Sequence, residues 1–342
     1  MSGGLDSSMA AALLQQQGYE LVGVTMRAWK YESKTTTYAG FDDEINDARN
    51  IAAKLNIPHY VIDIQDAFYN VVIQNFKEEY FAGRTPNPCI ICNRQIKFGK
   101  LIEIMQELGC EKIATGHYAK IASENGRFFL KKSSDSEKDQ TYFMWNIRQE
   151  NLAKILFPLS DYSKIEIRQK ANELGLLRVA SKRESYNLCF LPNTDYRDFL
   201  SENEEVKEGN FVLENGTILG KHKGLHFYTI GQRKGLEIAG NEAFYVLNFK
   251  TETNEIVLGK KEQLFSRVFD LKDCNFQKYE PFEFETEVFV KIRHGNSLIK
   301  GKLKKQNFSY CIELYEDVFA VTSGQSAVFY ENDDLLGGGF IV

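Results

Sequence analysis

The sequence predicts an α/β protein: a doubly wound parallel sheet at the N-terminal end, then a smaller central domain, then a C-terminal β-barrel. Three observations predict it. Short apolar runs alternate with helically spaced ones over about the first 150 residues, the pattern of a parallel sheet covered on both faces. A helical stretch with its own start and stop signals follows, opening at Ser163. From about residue 205 the helical spacing gives way to short alternating strands.

The elements follow in order. Residues 6–17 are rich in Ala, Leu and Gln, and Gly18 stands where a helix C-terminus favours glycine. Residues 21–26 form a short, partly β-branched apolar run that reads as a buried strand. Ile45, Ala48, Ile51, Ala52 and Leu55 recur at helical spacing behind Asp42 and Asp43, Pro58 stops that helix, and 59–64 reads as a strand. Phe68, Val71, Val72 and Phe76 mark a further helix. Phe98, Leu101, Ile102, Met105 and Leu108 mark another, ended by Gly109, and 112–117 reads as a strand again.

Ser163-Lys164-Ile165-Glu166 is a capping box, with Tyr162 and Ile167 placed as its hydrophobic staple. That helix runs to about Leu174, before Gly175. Residues 211–219 read as strand–turn–strand around Asn215-Gly216, a hairpin signal. Residues 244–249 and 256–258 form a second pair. Val288, Val290 and Ile292 alternate with polar residues, and 327–330 reads as a closing strand. Many short strands without helices predict one or two small barrels.

At 342 residues the chain exceeds the usual single domain, and its 43% apolar content suffices for several cores. No apolar run reaches the ~18–20 residues of a membrane span, so no membrane partner is expected. The start, Met1-Ser2-Gly3-Gly4, lacks a secretory pattern. The six cysteines, Cys89, Cys92, Cys110, Cys189, Cys274 and Cys311, then read as thiols of a reducing cytoplasm rather than a disulfide framework. A net charge of −5 argues against non-specific polyanion binding by the whole surface and leaves room for a local basic track.

Ser2-Gly3-Gly4-Leu5-Asp6-Ser7-Ser8 is the most informative heptapeptide. Two glycines let backbone N–H groups approach an anion, serines add hydroxyl donors, and a helix beginning near Asp6 aims its N-terminus at the same place. The alternative is a glycine turn that merely caps a helix. No lysine follows in the Gly-Lys-Ser/Thr manner. The segment resembles the PP-loop of ATP pyrophosphatases, which cleave ATP between the α and β phosphates and adenylate a substrate oxygen. The resemblance implies that Ser2, Gly3, Gly4, Asp6, Ser7 and Ser8 hold the pyrophosphate side and that Met26 lines the adenine pocket.

Residues 83–93, Gly-Arg-Thr-Pro-Asn-Pro-Cys-Ile-Ile-Cys-Asn, read as a proline-fixed loop running into a helix. Cys92 then lies near a helix N-terminus, where the dipole favours thiolate. A zinc site on Cys89 and Cys92 would need two more ligands, such as His117 and Cys189, since no second Cys-x-x-Cys pair exists. Inert buried thiols suit Cys110, Cys274 and Cys311; Pro, Asn and Arg around Cys92 do not.

The phosphate loop, residues 83–93, Ala114-Thr115-Gly116-His117-Tyr118, Lys138-Asp139-Gln140-Thr141-Tyr142-Phe143, Gly231-Gln232-Arg233-Lys234-Gly235 and Ser323-Gly324-Gln325-Ser326-Ala327 occur in that order. Over nearly the full chain the pattern is similar to the bacterial tRNA-specific 2-thiouridylase family. The resemblance implies a PP-loop adenylation domain over 1–150, a central tRNA-binding domain over 151–262 and a C-terminal β-barrel over 263–342. It implies that ATP, with Mg²⁺ as counter-charge, adenylates the 2-oxygen of the wobble uridine in tRNA. A sulfur-carrier protein or cysteine desulfurase would then supply a persulfide to Cys189. Cys92 would liberate the sulfur and end in a transient disulfide with Cys189. Gly116 would let the backbone lie close to the nucleotide. Asn87, Pro88 and Cys89 would surround the flipped base, and Lys138, Asp139, Gln140, Arg293 and His294 would contact tRNA. The pairs Lys131-Lys132, Lys182-Arg183 and Lys304-Lys305 offer phosphate tracks, although solvated surface is the simpler expectation for each.

Two departures stand out. Many family members carry Asp where this chain has Cys89. The phosphate loop usually follows a central strand, whereas here it opens the sequence. The expectation is that Met1 is an internal methionine of a longer chain; a chain truly this short is expected to bind ATP weakly with marginal stability. Two other readings remain: a different PP-loop ligase, such as a tRNA lysidine synthase or an argininosuccinate synthase, and a catalytically weakened tRNA-binding paralogue. Neither needs Cys92 paired with Cys189.

Overall fold

The structure is a computed structural model that describes residues 1–29, 40–182, 188–191, 194–202, 206–238, 242–307 and 309–342. Arg183, and Ser185, Tyr186 and Asn187 ahead of Cys189, lie outside the described residues.

The first helix, Leu5–Gln16, buries Leu5, Met9 and Leu13 at the four-residue spacing of one face. They pack on Ile167 and Ala171 of helix Lys164–Glu173. That second helix starts as expected: Ser163 accepts from the Glu166 N–H, Glu166 reaches back to the Ser163 N–H, and Tyr162 packs in the cluster holding Ile167. The parallel sheet is present as two pairs, Gly23–Arg27 with His59–Asp63 and Ile113–Ala114 with Ile155–Leu156. The Met1 amine hydrogen-bonds the Val24 carbonyl, and Thr25 Oγ1 donates to the Met1 carbonyl at 2.6 Å.

The helix expected after the proline-fixed loop starts at Pro88 and kinks at Phe98, the residue where the next expected helix begins. It runs through Pro88–Ile91, Cys92–Lys100 and Leu101–Glu107, and its middle part is π-helical, with hydrogen bonds spanning five residues instead of four. Tyr69–Ile73, within the preceding helix, is π-helical as well.

The middle sheet contains the expected Asn215-Gly216 hairpin, Gly209–Leu213 with Ile218–His222, and the pair Tyr245–Lys250 with Glu255–Gly259. Among the described residues the C-terminal barrel has six strands, from Phe265–Phe276 to Asp334–Ile341. It closes because Phe265–Phe276 pairs with both Ser309–Phe319 and Asp334–Ile341. A register shift between Lys272 and Asn275 bends the long strand along its second neighbour. The strand Ser326–Glu331 therefore does not close the barrel, contrary to expectation; the strand after it does. A hairpin the sequence reading missed, Lys120–Glu124 with Arg127–Lys131, joins the barrel edge at Asp334. Trp145, Tyr142 and Leu130 share one buried cluster with Val328, Tyr330 and Leu335 of the barrel, so the first and last parts of the chain have a common core.

Among the described residues no helix is long and apolar enough to cross a membrane.

Candidate functional site

Gly4 is extended and hands the chain into helix Leu5–Gln16 without a side-chain cap. The first-turn N–H groups of Leu5, Asp6 and Ser7 find no acceptor among the described residues, which leaves them available to an anion. Ser7 Oγ accepts from the Ser2 N–H at 3.1 Å and lies 3.0 Å from Ser2 Oγ, while Ser8 Oγ donates to the Gly4 carbonyl at 2.8 Å. Ser8 is buried and stiffens the turn from beneath; Ser2 is exposed and Ser7 half-buried.

Gly3 has φ +66°, and a Cβ there would collide with the Glu44 carbonyl oxygen. A Cβ on Gly116 would lie 2.5 Å from the Asp6 carbonyl carbon and 2.7 Å from the Ser7 nitrogen. Both positions need glycine because helix Gly40–Lys54 and the loop after Ile113–Ala114 press on the phosphate loop from two sides. Gly116 thus abuts the loop's own backbone.

Three cations support the loop. Lys164 Nζ lies 2.7 and 2.8 Å from the two Asp6 carboxylate oxygens, and Tyr118 OH donates to Asp6 at 3.2 Å. Lys182 Nζ donates to the Gly3 carbonyl at 2.8 Å and pairs at 2.5 Å with buried Asp47, which also holds Arg178 at 3.0 Å. Lys182 is therefore a strut of the phosphate loop, which corrects the expectation of solvated surface. The pairs Lys131-Lys132 and Lys304-Lys305 do behave as surface: their ammonium groups lie on Asp334, Asp333, Glu285, Glu313 and Glu283.

Pro88 is the first residue of the cysteine helix and Asn87 caps it, Oδ1 accepting from the Cys89 N–H at 3.2 Å. Cys89 is exposed and Cys92 is buried. Cys92 packs with Phe76, Phe190 and Leu191, and Met26 and Leu188 lie against the same cluster, so Cys92 shares its surroundings with both neighbours of Cys189. Cys189 is exposed. Burial pushes the Cys92 thiol up to about 12, and protein crowding raises Cys89 and Cys189 too, while Lys97 pulls all three the other way. Burial of Cys92 thus opposes the thiolate that a helix N-terminus favours.

Lys97 Nζ lies 3.3 Å from His117 Nε2, and Thr115 Oγ1 lies 2.8 Å from His117 Nδ1. An ammonium can only donate, so Nε2 accepts and the ring proton sits on Nδ1. Burial holds this imidazole neutral, well below its ordinary pKa. Gly116 therefore touches the phosphate loop while His117, its neighbour, touches the cysteine helix. Glu44 repeats the link from the other side, its backbone against Gly3 and its charge raising Cys189. Among the described residues no three His, Cys, Asp or Glu side chains form a metal-binding group.

Asp139, Gln140 and Arg293 mainly join the structure together. Asp139 is buried and accepts from Thr141 Oγ1 at 2.7 Å. Gln140 Oε1 accepts from the Tyr118 N–H at 2.9 Å, and Arg293 donates to the Ala320 carbonyl at 3.1 Å and to Thr322. His294 is exposed and stacks on Phe143 with ring centroids 4.5 Å apart. The barrel also reaches the cysteine segment, as Gln325 Nε2 donates to the Thr85 carbonyl at 2.7 Å and the Thr85 N–H to Ser323 O at 2.9 Å.

Sequence reasoning missed Lys97, Lys164 and Tyr118. Lys164 lies inside a capping box that was read only as a helix start. Lys97 lies five residues beyond Cys92, an offset that has meaning only once the turn is known to be π-helical.

The chain matches three family models in tandem: the tRNA methyl transferase HUP domain over 1–193, the tRNA methyl transferase PRC-barrel domain over 197–260, and the aminomethyltransferase beta-barrel domain over 266–341. It is 43% identical over 351 residues to the tRNA-specific 2-thiouridylase MnmA of Cytophaga hutchinsonii, covering 100% of this chain and 95% of that protein. The proteins of the same name from Amoebophilus asiaticus and Clostridium kluyveri are also 43% identical, with 100% of this chain covered and 93% and 97% of theirs. Likeness of this degree from end to end decides the family: the chain belongs to the tRNA-specific 2-thiouridylases.

Proposed function

We propose that this protein replaces the 2-oxygen of the tRNA wobble uridine with sulfur, using ATP for activation and a persulfide on Cys189, in the cytoplasm. The observation that carries the reading is the Gly116-His117 dipeptide, which joins the phosphate loop to the cysteine helix. An activating site and a sulfur site need to reach the oxygen and the carbon of one carbonyl. The relatives' printed name, 2-thiouridylase, favours this reading over the methyl transfer named in the descriptions of two of the matching family models.

The residues divide the work. The free N–H groups at the start of the first helix, with Ser2 and Ser7, fit the pyrophosphate side of ATP, and Met26 borders the adenine. Asp6 is committed to Lys164, so Mg²⁺ would arrive on the phosphates and offset their charge. Asn87, Pro88 and Cys89 border the flipped base, with Lys138 and His294 as the outer tRNA contacts. Adenylation makes the uridine oxygen a leaving group. The terminal sulfur of the Cys189 persulfide bonds to C2 and AMP departs. The Cys92 thiolate then attacks Cys189 Sγ, which breaks the sulfur–sulfur bond, leaves sulfur on C2 and forms the Cys92–Cys189 disulfide. The sulfane sulfur gains the two electrons that the thiols lose, and an external thiol restores the enzyme. A sulfur-carrier protein or cysteine desulfurase reloads exposed Cys189.

The test is unmodified tRNA incubated with ATP, Mg²⁺ and either sulfide or a persulfide donor, read by the mass of the wobble nucleoside. Wild type gains sulfur in place of oxygen, and Cys92→Ser and Cys189→Ser lose the persulfide-dependent gain. A wild type that binds tRNA without thiolating it would leave the tRNA-binding paralogue as the better reading.

A further inference from the structure

We propose that Lys97 is the counter-cation for the sulfur anions formed at Cys92 and Cys189. Three geometric observations carry it. First, Lys97 is half-buried, yet no carboxylate lies within ion-pair distance of it among the described residues. A partly desolvated ammonium without a counter-charge is costly and is kept where an anion visits. Second, its hydrogen bond goes to neutral His117, which orients the ammonium without cancelling its charge. Third, the cysteine helix is π-helical over Cys92–Lys100. Hydrogen bonds spanning five residues stack position 92 over position 97, whereas an α-helix would turn them to different faces.

The charges facing this spot are few. His117 is neutral, Glu44 opposes the lysine at Cys189, Cys89 raises both Cys92 and Cys189, and Cys189 raises Cys92. Lys97 is the cation that acts on all three thiols. Burial opposes ionisation of Cys92, and the Lys97 charge favours it. The inference rests on Cys92 and Cys189 being the sulfur-handling thiols, but its test uses neither tRNA nor a sulfur donor, so the two can fail separately.

The experiment is the pH dependence of alkylation at each cysteine by iodoacetamide, mapped by mass spectrometry, in wild type, Lys97→Met and Lys97→Arg without nucleotide. Lys97→Met keeps the apolar stem and removes the charge. It is expected to move the Cys189 profile up by about one pH unit, a loss of about tenfold in rate at pH 8, and Lys97→Arg is expected to restore most of it. ATP affinity, measured in parallel, stays within about twofold. An unmoved profile overturns the proposal. So does an intact profile with ATP affinity down about tenfold, which would assign the cation to a phosphate. Should Lys97→Met fail to fold, wild type alone decides. Anionic iodoacetate should gain on neutral iodoacetamide several-fold at Cys189 relative to Cys110, and an equal ratio at the two sites refutes the assignment.

Discussion

Replacing Gly3 with alanine tests whether backbone shape holds the phosphate loop. Gly18, at the other end of the same helix, supplies the control. Both have left-handed backbones, φ +66° and +87°, so both variants pay about 1–2 kcal/mol for an L side chain there. The reduced freedom of the unfolded chain returns about 0.4–1 kcal/mol in each case. The surroundings differ. A Cβ at Gly18 meets nothing within 4 Å, whereas at Gly3 it collides with the Glu44 carbonyl oxygen and lies 3.1 Å from Asp47 Cβ. Overpacking against backbone adds about 1–3 kcal/mol at Gly3 alone. For a domain of 150–250 residues this separates the two melting temperatures by about 2–12 °C. The assay is thermal unfolding of Gly3→Ala and Gly18→Ala at one scan rate, with ATP binding by calorimetry. Gly3→Ala should also lose ATP affinity about tenfold or more, because relief of the clash moves the N–H groups by several tenths of an ångström. Equal melting temperatures and equal ATP affinities would refute the reasoning.

Two further outcomes follow from the joints around the site. Burial holds the Asp139 carboxyl above its usual range. A carboxyl with a higher pKa folded than unfolded costs stability above the folded value, and the cost disappears as pH falls through that value. Asp139→Asn should therefore raise the melting temperature by a few °C at pH 8, with the gain shrinking toward pH 4; a loss at pH 8 would show that the carboxylate itself is needed. Gln325→Ala removes one of two hydrogen bonds between the barrel and Thr85, worth about 0.5–1.5 kcal/mol. Amide exchange over residues 84–92 should speed up by about 2–10-fold, and unchanged exchange would mean that the barrel does not steady the cysteine segment.

Much of the candidate site is local and so was legible in the sequence. The turn and helix start over 2–8 involve seven consecutive residues, and the Asn87-Pro88 start of the cysteine helix is read from two residue types. The capping box at Ser163 and the Asn215-Gly216 hairpin are equally short-range. The protonation of the thiols was not legible. Position on a helix predicts a dipole, but the burial that pushes the Cys92 thiol up comes from Phe76 and from Phe190 and Leu191, two stretches distant from it in the chain.

The sequence by itself determined the succession of α/β, central and barrel parts and the motifs that place the chain in its family, since periodicity, caps and turns depend on neighbours a few positions apart. Only the tertiary structure decided which residues act together. Lys164 reaches Asp6 across 158 positions and Lys182 reaches Gly3 across 179. The π-helical turn brings Lys97 into line with Cys92, and the last strand closes the barrel in place of the one before it. The physical reason is shared: hydrogen-bond register and desolvation depend on what packs around a residue, and periodicity along the chain does not encode it.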